Sequence, residues 1–188
     1  PTYVIAKNAV IYDEVRHLIF LFPIFAVFAG LGFSYIFQKS KYVFWGLALI
    51  GLCFHMFRAY TLHPYQYIYY NAFAGGVSGA YQKFELDYWG VSYKELADQL
   101  TKKTEQYVSD APIKVFICGP QTPAMHYLDP KKFISHAVME ESDVFFAFTR
   151  ENCHKRMLGS ELLSVQREGV KIAYVFVSDS FLSRLTNP

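Results

Sequence analysis

Charged residues are scarce in this sequence. Of its 188 residues, 18% are charged, against roughly 25% in a typical soluble domain, while 53% are hydrophobic and 19% aromatic. A disordered chain or a polybasic arm that binds nucleic acid carries far more charge, so both classes are excluded and no nucleic acid is expected among the partners. The charges are also unevenly placed. Residues 1–60 hold five basic and two acidic side chains, a net +3, whereas the remainder holds 13 and 14, a net −1.

The motifs of metal and nucleotide enzymes are lacking as well. The six histidines and three cysteines show no CxxC, HxxxH or HExxH spacing, so we expect no metal and no cofactor. The glycine-rich residues 75–79 are followed by no Lys-Ser/Thr pair, and no GxSxG elbow occurs. Three cysteines are too few for a disulfide scaffold. Two buried thiols are the favoured state of Cys118 and Cys153, and a disulfide, which would form in an oxidising compartment, is the alternative.

What the sequence does contain is two long apolar runs. Residues 18–37 (LIFLFPIFAVFAGLGFSYIF) carry no charge, and the uncharged residues 42–57 form a second run. At about 1.5 Å per residue, the first run crosses the roughly 30 Å hydrocarbon core of a bilayer. Arg58 would place its charge at the interface and let the second run continue toward residue 60. We therefore predict membrane spans at 18–37 and 42–60, the alternative being a pair of buried core helices.

The short loop between the runs predicts an orientation. Residues 38–41 (QKSK) include two lysines and no acidic residue, and the positive-inside rule places such a loop in the cytoplasm. Residues 1–15 and everything after about residue 60 would then lie on the opposite side. We therefore expect an integral membrane protein whose C-terminal domain is extracytoplasmic, with membrane lipid as its first partner.

An aromatic-rich segment follows the second run. Residues 60–93 contain eight of the fifteen tyrosines, and such a segment beside a membrane exit favours a position at the interface. Ser92 and Glu95 have the spacing of a capping box, which predicts a helix that starts at residue 93 and ends near residue 108.

Beyond this helix the pattern changes to strands. The runs IKVFIC at 113–118 and VFFAF at 144–148 are typical of buried strands, and residues 164–177 of a hairpin that turns at 167–169. The predicted fold class is a membrane hairpin plus α/β: a two-helix transmembrane hairpin at 1–60, an aromatic-rich interfacial segment at 61–92 and a small mixed α/β extracytoplasmic domain at 93–188.

Two carboxylates and a tryptophan precede the predicted helix. Glu85 and Asp87 are two residues apart, so on an extended segment they would share one face and could form an acid–base pair. A structural role at the positive end of the helix is the alternative, and the favoured one. Trp89 either packs in the core or offers its ring to a ligand. We expect packing, because Gly90 permits a tight turn that drives the ring inward.

Two stretches together resemble a known family. YDEVRHLIFLFPIFAVFAG at 12–30 and HPYQYIYYNAFAGGVSGAYQKFELDYWGVSYKEL at 63–96 are similar to the C-terminal part of bacterial integral-membrane glycosyltransferases. These are GT-C type, protein-mannosyltransferase-like enzymes that use dolichyl- or polyprenyl-phosphate sugars. The stretch SDVFFAFTRENC at 142–153 fits the family more loosely. The resemblance implies a bacterial inner-membrane protein whose extracytoplasmic domain lies over a membrane bundle that binds a lipid-linked sugar.

The resemblance also implies where a substrate would bind. Candidates near the lipid phosphate are Arg16, His17, His63 and Tyr67, and candidates near the sugar or acceptor are Glu85, Asp87 and Trp89. Arg16 and His17 stand at the first membrane boundary, where an interfacial anchor is the alternative to a phosphate contact.

No residue of this chain corresponds to the family's catalytic acid, which lies in the first extracytoplasmic loop of a many-span protein. The resemblance therefore implies a chain that does not catalyse alone: a C-terminal portion of such an enzyme, a split-gene partner of its catalytic half, or a descendant recruited as an accessory subunit. The alternative function is that of a structural subunit in a larger membrane complex, with other transmembrane subunits as partners and no enzymatic role.

The predicted orientation can be tested by cysteine labelling. Because the lysine-bearing loop is expected in the cytoplasm, a cysteine placed at Ser40 should react with an impermeant maleimide only from the cytoplasmic side. A cysteine placed at Ser109 should react only from the outside. The reverse pattern would overturn both the orientation and the fit to the family.

Overall fold

Two apolar helices and a five-stranded sheet make up the computed structural model, which describes residues 6–7, 14–108 and 111–186. Ser109, chosen above for labelling, lies outside the described residues. By their internal contacts the residues fall into two units, Pro1–Phe57 and Arg58–Pro188.

The first unit is a helical hairpin. A 3-10 helix, Glu14–Leu21, leads into α1 (Phe22–Lys39), and α2 (Lys41–Leu62) follows, its last turn belonging to the second unit. Pro23 lies in the first turn of α1, where its missing N–H breaks no helical hydrogen bond. The α-helix can therefore begin at this proline, whereas the residues before it form tighter turns.

Both helices are long and apolar enough to cross a membrane. Leu18–Lys39 and Lys41–Leu62 contain 22 residues each, with mean hydropathies of 2.1 and 1.4, and neither is buried within the protein. The two long apolar helices expected from the sequence are confirmed. They continue through both lysines, so Ser40 alone, in an extended conformation, separates them.

Aromatic rings pack the two helices against each other close to Ser40. The Phe44 ring of α2 lies edge-on to Phe33 and Phe37 of α1, with centroids 6.0 and 5.2 Å apart. Edge-to-face pairs at such distances stabilise a contact beyond the area that they bury.

The aromatic-rich segment is folded into the second unit. Its backbone forms 3-10 turns at Gln66–Ile68 and Ala72–Ala74 and a short helix α3 (Gly76–Ala80). Several of its apolar side chains are wholly buried in the core of this unit: Tyr65, Ile68, Val77, Ala80 and Leu86. Others remain exposed, above all Phe73.

Helix α4 (Tyr93–Lys103) packs an apolar stripe into the same core, with Tyr93, Leu96, Ala97 and Leu100 buried. The predicted capping box is wrong, because Ser92 has helical dihedrals and makes no cap bond. Its hydroxyl donates to Asp87 instead. The Glu95 carboxylate accepts from Tyr65 Oη at 2.7 Å and Arg167 Nη2 at 2.8 Å.

The sheet has the strand order β2-β1-β3-β5-β4, and β5 alone runs antiparallel to the other four strands. Its strands are β1 (Ile113–Ile117), β2 (Phe133–Ser135), β3 (Val144–Phe148), β4 (Ser160–Arg167) and β5 (Val170–Val177). Strands β1, β2 and β3 run parallel, whereas β5 is antiparallel to β3 and β4. Helices α5 (Gln121–Met125) and α6 (Asp179–Thr186) and two 3-10 segments, Met139–Glu141 and Arg150–Arg156, complete the described elements. The mixed α/β fold is confirmed.

The predicted hairpin and two predicted strands are present. Glu168 and Gly169 have φ values of 49° and 78°, so the β4–β5 turn has two left-handed residues, the geometry that matches strand twist. The three-residue strand β2 was not predicted. Because β2 and β3 lie on opposite sides of β1, the chain reverses its direction of winding between β1 and β3.

An ion pair joins the β4–β5 turn to the last turn of α2. Arg58 Nη1 and Nη2 lie 2.5 and 2.9 Å from the Glu168 carboxylate oxygens, and Thr61 Oγ1 donates to the same carboxylate at 3.2 Å. The two charged side chains are only 20% and 17% exposed. The Arg58 guanidinium thus pairs with a carboxylate of the same unit.

A double-mutant cycle should detect this ion pair. We expect Arg58→Ala and Glu168→Ala to couple by about 2 kcal/mol in the free energy of unfolding, because bidentate, partly buried charged hydrogen bonds are strong. The Lys171–Glu161 pair of the same hairpin is the control, since its side chains are 42% and 34% exposed. Exposed pairs couple by at most about 1 kcal/mol. Urea unfolding in detergent measures both cycles, and equal couplings would contradict the expectation.

Candidate ligand-binding clefts at the carboxyl end of the sheet

A cleft lies where the parallel strands β1 and β3 end. It has a volume of about 260 Å³ and is lined by Tyr88, Trp89, Cys118, Gly119, Pro120, Phe148, Arg150, Glu151 and Cys153. The loops that follow β1 and β3 diverge here, because the strand order reverses at this point of the sheet. Open α/β sheets bind their ligands in the crevice that such a reversal leaves. We name it the switch-point cleft.

The two loops that form the floor of the switch-point cleft are covalently linked. A disulfide between Cys118 and Cys153 links the loop after β1 to the loop after β3, so the favoured prediction of two buried thiols is wrong. Gly119 has φ +103°, and a Cβ added there would lie 2.6 Å from the Phe148 ring. Only glycine fits this close approach. Tyr93 Oη donates to the Cys118 carbonyl at 2.5 Å and fixes the loop from below.

Trp89 stands at the rim of this cleft with 55% of its surface exposed. The prediction that its ring packs in the core was wrong. Gly90 does form a tight turn, with φ +68°, but the turn directs the Tyr93 ring inward instead. Tyr93 fills the core position and leaves the tryptophan outside.

Asp87 holds this turn together from a completely buried position. Its carboxylate accepts the backbone N–H groups of Gly90 at 2.8 Å, Val91 at 3.3 Å and Ser92 at 3.1 Å, and the Ser92 hydroxyl as well. All of these donors are neutral. The segment is a turn rather than an extended strand, so Asp87 and Glu85 do not share one face as predicted. The acid–base pair that such a face would allow therefore does not form either.

The buried charge of Asp87 acts on the tyrosines around it. Burial first, and then the Asp87 charge, raises the pKa of Tyr67 far above its ordinary value, and the same two causes raise the pKa of Tyr93. Both hydroxyls therefore stay protonated at neutral pH. Tyr67 packs edge-on against Tyr88, with ring centroids 6.0 Å apart. The structure thus places Tyr67 among the supports of the turn.

A second cleft lies on the other side of Glu151. It has a volume of about 350 Å³ and is lined by Gln82, Lys83, Phe84, Glu85, Thr149, Glu151, Asn152 and His154. Arg150 Nε lies 3.8 Å from the half-exposed Glu85 carboxylate. Burial raises the pKa of Glu85 above its ordinary value, Arg150 opposes this, and Glu151 adds to it. We name this the distal cleft.

His154 closes one wall of the distal cleft with a neutral ring. The ring stacks on Tyr174 with centroids 5.0 Å apart and planes 7° from parallel. Burial is the main cause that lowers the pKa of His154 below its ordinary value. Tyr174 in turn lies 3.4 Å, hydroxyl to hydroxyl, from Tyr81.

The remaining predicted site residues lie elsewhere. His63 is exposed, its Nδ1 lies 3.1 Å from Gln66 Nε2, and its carbonyl accepts from Arg167 Nε at 3.0 Å. Neither cleft includes it. The backbone of Arg16 and His17 belongs to the 3-10 helix Glu14–Leu21, but their side chains fall outside what the structure describes. Of the predicted site residues, Glu85 lines the distal cleft and Trp89 lines the switch-point cleft. Asp87 and Tyr67 line neither cleft and support the turn that carries Trp89.

Several cleft residues carried no signal in the sequence. Arg150, Thr149, Asn152 and His154 lie within or just beyond the stretch that fits the family loosely, yet no motif singles them out. In the described part of the chain, no group of three histidine, cysteine or acidic residues has the arrangement of a metal site.

Comparison with family models, with curated proteins and with solved structures gives no match for this chain. What the two clefts can bind follows from their own side chains. An exposed indole ring, a guanidinium, two carboxylates and two amides suit a ligand that has both apolar faces and many hydroxyl groups.

The different roles of the two carboxylates can be tested by paired substitutions. Asp87→Asn should lower the free energy of unfolding by about 3 kcal/mol, because an amide replaces an acceptor of buried N–H groups with a donor. Glu85→Gln should change it by less than about 0.5 kcal/mol, since the side chain is half exposed. Chemical unfolding in detergent measures both. A larger loss from Glu85→Gln than from Asp87→Asn would contradict these assignments.

Proposed function

We propose that this chain is the membrane-anchored, sugar-binding portion or partner of a membrane glycosyltransferase that uses a polyprenyl-phosphate sugar. The observation that carries the proposal is the exposed Trp89 ring at the switch-point cleft, beside Arg150 and Glu151. In this proposal the chain binds sugar, and a catalytic half supplies the reaction.

The chemistry of the cleft supports a saccharide. The flat, apolar face of a sugar ring packs on an aromatic face, and carboxylates and guanidinium groups bond its hydroxyls. Among the residues that line the cleft, Trp89 supplies the aromatic face, Arg150 the guanidinium and Glu151 the carboxylate. Asp87 acts by holding the turn that presents the tryptophan.

The membrane location is part of the same proposal. The two apolar helices would anchor the chain, with Lys39 and Lys41 at the cytoplasmic turn. The Cys118–Cys153 disulfide supports an extracytoplasmic site for the second unit, because disulfides persist in oxidising compartments such as the bacterial periplasm. Arg16 and His17 would then stand at the outer boundary of the first span, where a lipid phosphate lies.

A structural role in a larger membrane complex is the second candidate. It is favoured by apolar side chains that remain exposed on the second unit, among them Phe73, Phe84, Trp89 and Val91. In that case Trp89 would contact another subunit and no sugar.

Trp89→Ala distinguishes these candidates. Because the ring is more than half exposed, we expect the melting temperature of the chain in nanodiscs to fall by less than about 2 °C. Binding of methyl glycosides of mannose, glucose, galactose and N-acetylglucosamine, followed by saturation-transfer NMR, should weaken at least tenfold, about 1.4 kcal/mol.

Phe73→Ala is the matched control, since it removes a fully exposed ring that neither cleft includes. This variant should bind as the unaltered chain does. If no glycoside binds the unaltered chain, or if Trp89→Ala binds as well as Phe73→Ala, the sugar-binding function is wrong and the structural role is favoured.

A further inference from the structure

We propose that the distal cleft is a second saccharide subsite, so that the protein binds a chain of two or more sugar units rather than a single sugar. This inference rests on the proposed function, because it takes the switch-point cleft as the first subsite. It adds the class of ligand, a neutral oligosaccharide, and the residues that select it.

The two clefts are neighbours that share a wall. Glu151 lines both, and Arg150 of the switch-point cleft faces Glu85 of the distal cleft across 3.8 Å. This ion pair is long and its side chains are 35% and 49% exposed, so a ligand hydroxyl can replace either partner at little loss. A sugar bound at Trp89 would thus have its next unit beside Glu85.

Thr149, one of the residues that line the distal cleft, has a buried hydroxyl without a hydrogen-bond partner in the described part of the chain. A buried polar atom without a partner is rare in folded proteins and calls for an explanation. A rotation of the Thr149 side chain toward the cavity would let this hydroxyl bond a sugar bound there.

Backbone strain is concentrated in the same wall. Four non-glycine residues in the described part of the chain have positive φ, and three of them line the distal cleft: Gln82 at 63°, Glu151 at 52° and Asn152 at 55°. Left-handed dihedrals are unfavourable for residues such as Gln and Glu, less so for Asn, and tend to persist where function requires them. Here they place two amides and a carboxylate around one cavity.

The charges of the distal cleft favour a neutral ligand. Glu85 and Glu151 would repel a phosphate or an acidic sugar, and Lys83 is the single permanent cation among the residues that line it. Amides and carboxylates together both donate to and accept from hydroxyl groups. The ligand is therefore the uncharged part of a glycan chain and not the phosphate of a lipid carrier.

Glycine substitutions test this subsite without straining the backbone. Gln82→Gly and Asn152→Gly remove the amides at positions where glycine adopts the observed φ readily, so the melting temperature should not fall. The full chain in nanodiscs is titrated with methyl α-mannoside, mannobiose and mannotetraose, and with the same series of glucose, galactose and N-acetylglucosamine. Phe73→Ala is the control variant.

We expect the oligosaccharides of one series to bind at least tenfold more tightly than its methyl glycoside. Each glycine variant should remove most of that gain and leave methyl glycoside binding unchanged. If methyl glycosides bind through Trp89 but longer chains bind no more tightly, or if their gain survives both glycine substitutions, the second subsite is wrong while the proposed function stands. If no saccharide binds at all, both are wrong.

Discussion

The buried carboxylate of Asp87 is the interaction on which the candidate site depends. It accepts hydrogen bonds from three backbone N–H groups and one hydroxyl. Among the described contacts, it forms no ion pair with a cationic side chain. Its four neutral donors compensate the lost hydration. One side chain thereby sets the start of helix α4, turns Tyr93 into the core and leaves Trp89 at the surface. The cleft follows from this turn.

The sheet supplies the opposite wall by a separate route. Reversal of winding between β1 and β3 separates their following loops, and the Cys118–Cys153 bond joins those loops across the gap. Tyr93 connects the two systems, because its ring lies under Gly90 and its hydroxyl donates to the Cys118 carbonyl. A change at Asp87 would therefore disturb both walls of the switch-point cleft.

Local signals in the sequence predicted the elements, and tertiary contacts decided the site. Two apolar runs and the glycine of the β4–β5 turn are sufficient to predict the helices and the hairpin, since neighbouring residues determine both. Gly90 predicted a turn correctly. The direction of the turn depends on the N–H groups that Asp87 accepts, and the sequence does not show which groups these are. The prediction that Trp89 points inward is wrong for that reason. Similarly, Ser92 and Glu95 have capping-box spacing, but Asp87, Tyr65 and Arg167 engage their side chains. The left-handed backbone at Gln82 and Glu151 has no sequence signature, whereas asparagine at 152 is a residue type that adopts it readily.

The rigidity of these walls bears on what they can bind. A sugar exchanges hydrogen bonds with water for hydrogen bonds with protein, and each exchange contributes only about 0.5–1.5 kcal/mol. Ordering a loop on binding would offset several such bonds. In this fold the disulfide, the Asp87 turn and the stacked His154–Tyr174 pair hold the cleft walls before any ligand arrives. The free-energy cost of the left-handed dihedrals at Gln82, Glu151 and Asn152 likewise arises when the chain folds and not when a ligand binds. In the proposed sugar-binding role, weak individual contacts to hydroxyl groups would therefore add up to specific binding, which a flexible surface of the same composition would not achieve.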